Sequence, residues 1–189
     1  LRVVYRVAGE GTKEFSEMKA GDTLEVMGPL GNGFTMKNEK AIIIGGGIGI
    51  PPMLELAKQL DAEKTVVLGY RTSTFLKEEF EEVCDVKIAT EDGSQGAKGT
   101  VIDAIEKYGV EGKVIYACGP MPMLKALAAY AEEHGMEAQI SLEERMACGI
   151  GACLGCICKS KTKDHHTNVN NTRICKDGPV FDAKEVVFS

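Results

Sequence analysis

The chain has 189 residues and a formal net charge of -6, with 44% hydrophobic and 26% charged residues. This length is enough to bury a hydrophobic core, in one domain or two small ones. The negative charge and the absence of a basic stretch argue against nucleic-acid binding, and no apolar run approaches the roughly 20 residues of a membrane span. Because no secretory signal is recognisable, we predict a cytoplasmic location.

Residues 1–35 carry the pattern of an all-β segment. Strands are predicted at Leu1–Ala8 and Thr23–Met27, with a turn at Gly9–Thr12. The motif GPLGNGF, residues 28–34, is too rich in glycine and proline to form a strand or a helix, so we interpret it as a loop between domains. The chain starts without methionine, inside a strand-like run, and we expect that it begins within a longer domain.

From Lys40 onward, predicted strands and helices alternate. Ala41–Ile44 is short and wholly apolar, which is typical of a strand buried on both faces. Repeated strand–helix units of this length indicate a parallel sheet covered by helices, so the predicted fold class is α/β. The further strands are Thr65–Leu68, Val86–Ala89, Lys113–Ala117 and Glu137–Ser141, and the helices are Pro51–Leu60, Thr74–Val83, Thr100–Tyr108 and Met121–His134. Residues 142–189 show no helical period and are predicted to form a small appended module.

A glycine-rich motif, GGGIGIPP at residues 45–52, follows the first predicted strand of the sheet and opens a helix. Glycines at such a turn let backbone N–H groups approach a pyrophosphate at the helix N-terminus, where the helix dipole favours anions. The motif departs from G-x-G-x-x-G, and Gly69-Tyr70-Arg71 stands where a standard Rossmann fold has an acidic ribose-binding residue. We therefore predict a dinucleotide-binding loop of another kind, with a simple tight turn as the alternative. The candidate residues are Gly46, Gly47, Gly49 and Arg71, and since Arg71 could accept a 2′-phosphate they do not distinguish NAD from NADP.

A second turn, ACGPMPM at residues 117–123, also follows a predicted strand. The turn contains Cys118, Gly119 and Pro120. It places the small polarizable side chain of the cysteine and the uncovered backbone of the glycine at the edge where ligands bind in open α/β sheets. Together with the glycine loop, this turn predicts a nicotinamide pocket. The polar loop at residues 90–99 belongs to the same edge and is interpreted as a solvated loop or as a further ligand contact.

Four cysteines form the most specific pattern of the chain. Three stand in a C-x4-C-x2-C array within MACGIGACLGCIC, residues 146–158, and a fourth follows after a polar insert, which is the plant-type spacing of a [2Fe–2S] cluster. The intervening glycines would let backbone N–H groups donate to the cluster sulfurs and tune its potential. A structural zinc site is the alternative. Zinc modules, however, usually combine two closely spaced cysteine pairs of the C-x2-C or C-x4-C type, and only one such group is clear in this sequence. The candidate ligands are Cys148, Cys153, Cys156 and Cys175.

The other cysteines and two histidines are weaker candidates. Cys158 is interpreted as a small buried residue or as a replacement for a neighbouring ligand, with the first preferred, and Cys84 as a core residue. His165 and His166 lie between the third and fourth candidate ligands, and two histidines would be the ligands of a Rieske centre. Because four cysteines are available, we interpret the histidine pair as exposed.

Four motifs together carry a family resemblance: GPLGNGF, IIIGGGIGIPPMLELAK, YACGPMPML and, most specific, SLEERMACGIGACLGCICK with a later cysteine. On these motifs the chain resembles the ferredoxin–NADP reductase superfamily, in which a flavin-binding barrel precedes a nicotinamide-binding domain. It is most similar to the electron-transfer subunit of dihydroorotate dehydrogenase B. The resemblance covers essentially the whole chain.

The resemblance implies an oxidoreductase subunit that relays electrons between an FMN-containing dihydroorotate dehydrogenase subunit and NAD, through a [2Fe–2S] cluster and FAD, in pyrimidine biosynthesis. It implies a heterotetramer of two subunits of each kind. No acid–base catalytic residue is expected, because the chemistry belongs to the cofactors. The resemblance makes the four candidate cysteines the cluster ligands. It also implies FAD contacts from Val4, Tyr5, Arg6, Gly11 and Thr12.

The implied domains are a truncated FAD-binding β-barrel segment at residues 1–35, an NAD-binding α/β domain at 36–141 and a [2Fe–2S] module at 142–189. The family's Arg-Pro-x-Ser flavin motif is absent, so we expect poor FAD binding and no activity from this chain alone. The insert between Cys156 and Cys175 is longer than usual for the family. Two alternatives stay open: the small subunit of an NADPH–ferredoxin or sulfide-type oxidoreductase, and a zinc-stabilised nucleotide-binding module.

Overall fold

A computed structural model describes residues 2–163 and 169–188. The strands are β1 (Ala41–Gly46), β2 (Lys64–Tyr70), β3 (Asp85–Thr90), β4 (Ala97–Lys98), β5 (Val114–Cys118), β6 (Glu137–Ser141), β7 (Ile157–Lys159), β8 (Asn171–Arg173) and β9 (Val180–Asp182). The helices are α1 (Glu10–Glu17), α2 (Ile50–Gln59), α3 (Lys77–Glu81), α4 (Val101–Tyr108) and α5 (Met121–Glu133), and Gly47–Gly49 form a single 3-10 turn before α2.

Seven strands form one sheet in the order β4-β3-β2-β1-β5-β6-β9. β1 to β6 run parallel, and only β9 pairs antiparallel, on β6. The predicted α/β class with a parallel sheet is therefore confirmed. Because β1 lies between β2 and β5, the strand order reverses beside β1, and ligands of open α/β sheets bind in the crevice at such a switch point.

Both faces of the sheet are covered, as the wholly apolar character of β1 predicted. Ile42 and Ile44 face the cluster of buried side chains that includes α4 and α5, whereas Ala41 and Ile43 face the cluster that includes α2 and α3. All six residues of β1 are buried. The period of two along a strand sends alternate side chains to opposite faces, so an apolar strand can stabilise two helical layers at once.

The strands predicted in the first forty residues are wrong. Residues 2–8 and 23–27 form no strand, and the only β contact of residues 2–40 is an isolated bridge between Asn32 and Pro179. A strand needs a partner for its backbone groups, and these segments have none. A local helix, α1, forms instead: the hydroxyl of Thr12 accepts hydrogen bonds from the N–H groups of Ala8 and Gly9 at 2.9 and 3.1 Å. The barrel segment is thus not confirmed as β structure.

Other differences concern short elements. α3 covers Lys77–Glu81 and is shorter than predicted, because Leu76 before it adopts a left-handed φ of +60°. The strands β4, β7, β8 and β9 have three residues or fewer and were not predicted. β9 joins the end of the chain to the main sheet, and the N–H of Leu142 donates to the carbonyl of Pro179 at 2.8 Å. Within the described ranges, no helix is long and apolar enough to cross a membrane.

The start of α4 supplies a first testable prediction. Thr100 Oγ1 accepts the N–H of Asp103 at 3.3 Å, and the Asp103 carboxylate accepts the N–H of Thr100 at 2.6 Å. We expect Thr100→Ala to lower the free energy of unfolding by about 1 kcal/mol, since the N–H of Asp103 loses its acceptor and the Asp103 carboxylate loses the hydroxyl of Thr100. Urea denaturation measures the difference. Thr23→Ala, at an exposed residue outside any helix or strand, is the control, and equal stability of the two variants would contradict the capping role.

Candidate cluster and nucleotide sites

The glycine loop after β1 lies directly against the turn after β5. β1 and β5 are neighbouring parallel strands, with Gly45 opposite Cys118, so both turns leave the same edge of the sheet. A side chain added at Gly49 would overlap the backbone of Cys118 and stand 2.6 Å from the nitrogen of Gly119. A side chain at Gly46 would meet Met123 and Pro120 at 2.6 and 3.1 Å. Several glycines of the motif are therefore required by the contact between the two turns.

Gly47 differs from these two glycines. It has a left-handed φ of +53°, and nothing lies within 4 Å of the position that a Cβ would occupy. The next residue, Ile48, is 48% exposed, and α2 begins two residues later with prolines in its first turn. The loop thus leaves open backbone in front of a helix N-terminus at the switch point, an arrangement that fits a pyrophosphate.

Cys118 ends β5 and is partly buried in this crevice. Its Cα partner on β6 is Ser141, and a hydrogen bond between the two side chains favours the thiolate. Burial is the larger influence and raises the pKa of Cys118 above its usual value, so the thiol stays neutral. Ser141 was missed by sequence reasoning, although its position at the end of the next predicted strand places it at the same edge.

Arg71 follows β2 on the same edge, beside the polar loop at residues 90–99. The N–H of Asp92 donates to the carbonyl of Arg71 at 3.4 Å, and Ser94 Oγ donates to the carbonyl of Thr72 at 3.2 Å. Thr90 is fully buried, and its hydroxyl donates to the carbonyl of Gln95 at 2.8 Å. Residues 91–96 of this loop are exposed, as the interpretation as a solvated loop predicted, and hydrogen bonds hold the loop beside Arg71.

The candidate cluster cysteines form two neighbouring pairs. The N–H of Cys153 donates to Cys148 Sγ at 3.4 Å, and the N–H of Cys175 donates to Cys156 Sγ at 3.4 Å. The two residues of the second pair are buried, and the N–H of Gly155 donates to Cys153 Sγ at 3.4 Å. In the described ranges, no three acidic, histidine or cysteine side chains converge closely enough to hold a single metal ion.

The electrostatics of the cysteine loop favour a thiolate at its start. Backbone N–H groups, first that of Cys153 and then that of Ile150, lower the pKa of Cys148 to about 6. The pKa of Cys175 is raised, chiefly by its hydrogen bond with Cys156. Thiolates are the ligands of iron–sulfur clusters, and N–H groups directed at sulfur are the contacts that such clusters use. The four residues therefore fit a cluster.

Comparison with known proteins finds a matching domain family for each of the two regions. Residues 143–187 match the model of the iron–sulfur cluster binding domain of dihydroorotate dehydrogenase B, and residues 43–129 match the oxidoreductase NAD-binding domain. A dihydroorotate dehydrogenase B (NAD(+)) electron transfer subunit from Caldanaerobacter subterraneus subsp. tengcongensis is 48% identical over 100% of this chain and 76% of its own length. The chain belongs to this family of electron transfer subunits.

Two further relatives support the assignment. The electron transfer subunit of Fusobacterium nucleatum is 45% identical over 98% of this chain and 74% of its own length. The solved structure of an NADH-dependent reduced ferredoxin–NADP oxidoreductase, described in connection with flavin-based electron bifurcation, superposes with a TM-score of 0.85. It is 33% identical and covers 97% of this chain and 67% of its own. The predicted family and an oxidoreductase subunit with iron–sulfur and NAD-binding domains are thus confirmed.

The residues that family resemblance assigns to FAD are only partly brought together. Val4 lines a cavity of about 610 Å³ with Ile48 and Pro51, next to the glycine loop. Tyr5 packs on Phe15 of α1 instead, with ring centroids 5.7 Å apart. The other residues of this set, Arg6, Gly11 and Thr12, are not among those that line the cavity.

The remaining cysteines are packing residues. Cys158 lies on β7 against the main core, and Cys84 packs against the core on the other face of the sheet, as predicted. Burial raises the pKa of each thiol to about 11, so both stay protonated at neutral pH. His165 and His166 lie outside the described residues.

Proposed function

We propose that this protein is the electron-transfer subunit of a dihydroorotate dehydrogenase B. It relays electrons between an FMN-containing catalytic subunit, which oxidises dihydroorotate in pyrimidine biosynthesis, and NAD. The observation that carries the proposal is the presence of a four-cysteine site and a nucleotide crevice in one chain of this family. Its cofactors are a [2Fe–2S] cluster, FAD and NAD. Nicotinamide transfers two electrons as hydride, a cluster transfers one at a time, and a flavin can do both.

We assign the cluster ligands to Cys148, Cys153, Cys156 and Cys175. Their arrangement as two adjacent pairs supports a two-iron cluster, in which each pair would hold one iron. Two of the sulfurs are on exposed or half-exposed residues, and the other two are buried. This geometry leaves one side of the site near the surface, where a partner can approach, and seals the other side against the core.

The nucleotide site is assigned to the carboxyl edge of β1, β2 and β5. The glycine loop would hold the pyrophosphate, and the turn after β5 would lie against the nicotinamide, where the neutral thiol of Cys118 offers a small polarizable surface. The positions of both turns at the switch point of the sheet support this assignment. The residues assigned are Gly46, Gly47, Gly49, Arg71, Cys118, Gly119 and Pro120.

FAD is assigned to the N-terminal side of the same crevice. The support is the cavity that Val4 shares with Ile48 and Pro51, because a ring system in this cavity would lie beside the glycine loop. Aliphatic side chains form most of the nearby wall and suit the flat, largely apolar face of a flavin ring. The family resemblance adds Tyr5, Arg6, Gly11 and Thr12 to the residues proposed for this cofactor.

The surface around the cysteine loop supports a protein partner. Met146, Ile150 and Leu154 are each more than half exposed, and a side chain at Gly149 would meet Met27 and Leu30 at 3.4 Å. Exposed apolar side chains gathered in this way indicate an interaction surface. We propose that the FMN-containing catalytic subunit binds here, in a heterotetramer with two subunits of each kind.

The proposed domains are an FAD-binding segment at residues 1–35, an NAD-binding domain at 36–141 and a cluster module at 142–189. The matches of residues 43–129 and 143–187 to separate family models support the second and third. The cytoplasm is proposed as the compartment, because the seven cysteines are free and a reducing environment keeps thiols available for a cluster.

The spectrum of the purified protein tests the proposal. Anaerobically reconstituted with iron and sulfide, the chain is expected to be red-brown, to hold about two irons and two sulfides, and to give an EPR signal on reduction. Flavin released on denaturation measures FAD binding in the same sample. A colourless protein that retains one zinc per chain would contradict the cluster and support the zinc-stabilised alternative.

The identity of the partner separates the proposal from its nearest alternative. The second candidate function is that of a subunit of a related oxidoreductase. It is supported by the 33% identity to an NADH-dependent reduced ferredoxin–NADP oxidoreductase. Affinity purification from the native cell is expected to recover an FMN-containing dihydroorotate dehydrogenase subunit. Recovery of a glutamate-synthase-like flavoprotein, together with a preference for NADPH, would support the alternative.

A further inference from the structure

A salt bridge beside the cysteine site closes the turn that carries Cys175. Arg173, at the end of β8, donates from Nε to Asp177 Oδ2 at 3.0 Å and from Nη2 to Oδ1 at 3.2 Å. Asp177 Oδ2 also accepts the backbone N–H of Arg173 at 2.9 Å. The two side chains are 23% and 33% exposed, so protein packing restricts their movement. A bidentate pair of this kind holds the guanidinium in one orientation.

The same guanidinium reaches the other half of the site. Its third nitrogen, Arg173 Nη1, donates to the carbonyl of Gly151 at 3.4 Å, in the loop between Cys148 and Cys153. The N–H of Gly151 in turn faces the sulfur of Cys175. Gly151 has a φ of +82°, and a Cβ there would stand 2.8 Å from the side chain of Lys176, so the loop packs closely on the Cys175 turn.

The hairpin under this contact carries the second cysteine pair. β7 begins directly after Cys156, β8 ends two residues before Cys175, and Ile157 pairs with Arg173 across the hairpin. The N–H of Ile174 donates to the carbonyl of Cys156 at 3.0 Å. One arginine side chain therefore connects the hairpin of one cysteine pair with the loop of the other.

We propose that Arg173, oriented by Asp177, is a positioning residue that fixes the Cys148–Cys153 loop on the hairpin and sets the reduction potential of the cluster. The inference rests on the proposed function, since it requires a cluster at these cysteines. Reduction adds one negative charge to a cluster, so a fixed cation nearby favours the reduced form and a carboxylate opposes it. The partial burial of the pair limits the screening of both charges by solvent.

Redox titration of the reconstituted chain tests this role. Dithionite would supply the electrons, and EPR would follow the reduced cluster against dyes of known potential. We expect Arg173→Gln to lower the potential and Asp177→Asn to raise it, each by about threefold or more in the one-electron reduction equilibrium constant. Arg173→Lys keeps the charge without the forked geometry and is expected to fall between Arg173→Gln and the unmodified chain. Lys113→Gln, which removes a cation from an exposed residue just before β5, is the control and should leave the potential unchanged.

Opposite shifts from the two variants are the signature of an electrostatic role. Shifts in the same direction, or shifts no larger than that of Lys113→Gln, would overturn the inference while the proposed function stands. If Arg173→Gln fails to retain iron, the reduction potential of Asp177→Asn becomes the test. An unchanged or lowered potential in Asp177→Asn would overturn the inference. An unmodified chain that binds no cluster would instead contradict the proposed function, and this inference with it.

Discussion

Replacing Cys175 by serine is expected to abolish the iron–sulfur cluster. Cys175 is buried and shares a hydrogen bond with Cys156, so no other cysteine can take its place without rearrangement of the hairpin. Iron should fall from about two per chain to well below one, with loss of the visible absorbance. Because ligand binding stabilises the fold that it requires, the midpoint of urea unfolding of the reconstituted protein should fall as well. Iron analysis and the visible spectrum after desalting measure the effect.

Cys158→Ser is the matched control for this prediction. Cys158 lies in the same hairpin, but it packs against the core and its thiol stays protonated at neutral pH. The variant is expected to keep its iron and its spectrum, with only a modest loss of stability from the buried hydroxyl. Loss of the cluster in Cys158→Ser, with retention in Cys175→Ser, would show that the fourth ligand is assigned to the wrong residue.

Gly49→Ala is expected to damage both stability and nucleotide binding. The added methyl group would overlap the backbone of Cys118, which cannot move without displacing β5 from β1. Such overpacking costs about 3 kcal/mol of unfolding free energy. The separation of the two turns should also weaken NADH binding by roughly tenfold or more, because the crevice loses its shape. Urea denaturation and NADH titration by fluorescence measure the two effects.

Gly109→Ala provides the comparison. Gly109 ends α4 with a left-handed φ of +59°, and nothing lies within 4 Å of the added carbon. The free energy of unfolding should fall by about 1 kcal/mol, from the backbone strain of alanine in this conformation alone, and the NADH affinity should not change. If Gly49→Ala were no more harmful than Gly109→Ala, the close contact between the two turns would not exist in solution.

The sequence by itself determined the parallel sheet and predicted where the two candidate sites lie. The five longer strands of the parallel sheet, β1, β2, β3, β5 and β6, were predicted with small shifts of their ends. Their apolar runs alternate along the chain with segments of helical periodicity, and both patterns are local. The cluster motif of Cys148, Cys153 and Cys156 can be recognised from the spacing of the three cysteines along the chain alone. The glycine-rich turn after β1 and the Gly-Pro turn after β5 predicted a ligand site at the same edge of the sheet for the same local reason.

Only the tertiary structure decided features that depend on distant partners. Residues 2–8 have strand-like composition but no edge to pair with, so they stay irregular and α1 forms beside them. β9 becomes a strand because β6 offers an open edge. The contact of Arg173 with Gly151 joins loops that are far apart in the sequence. Hydrogen bonds and close backbone contacts of this kind depend on which distant segments pack together. Local residue patterns do not reveal which segments these are.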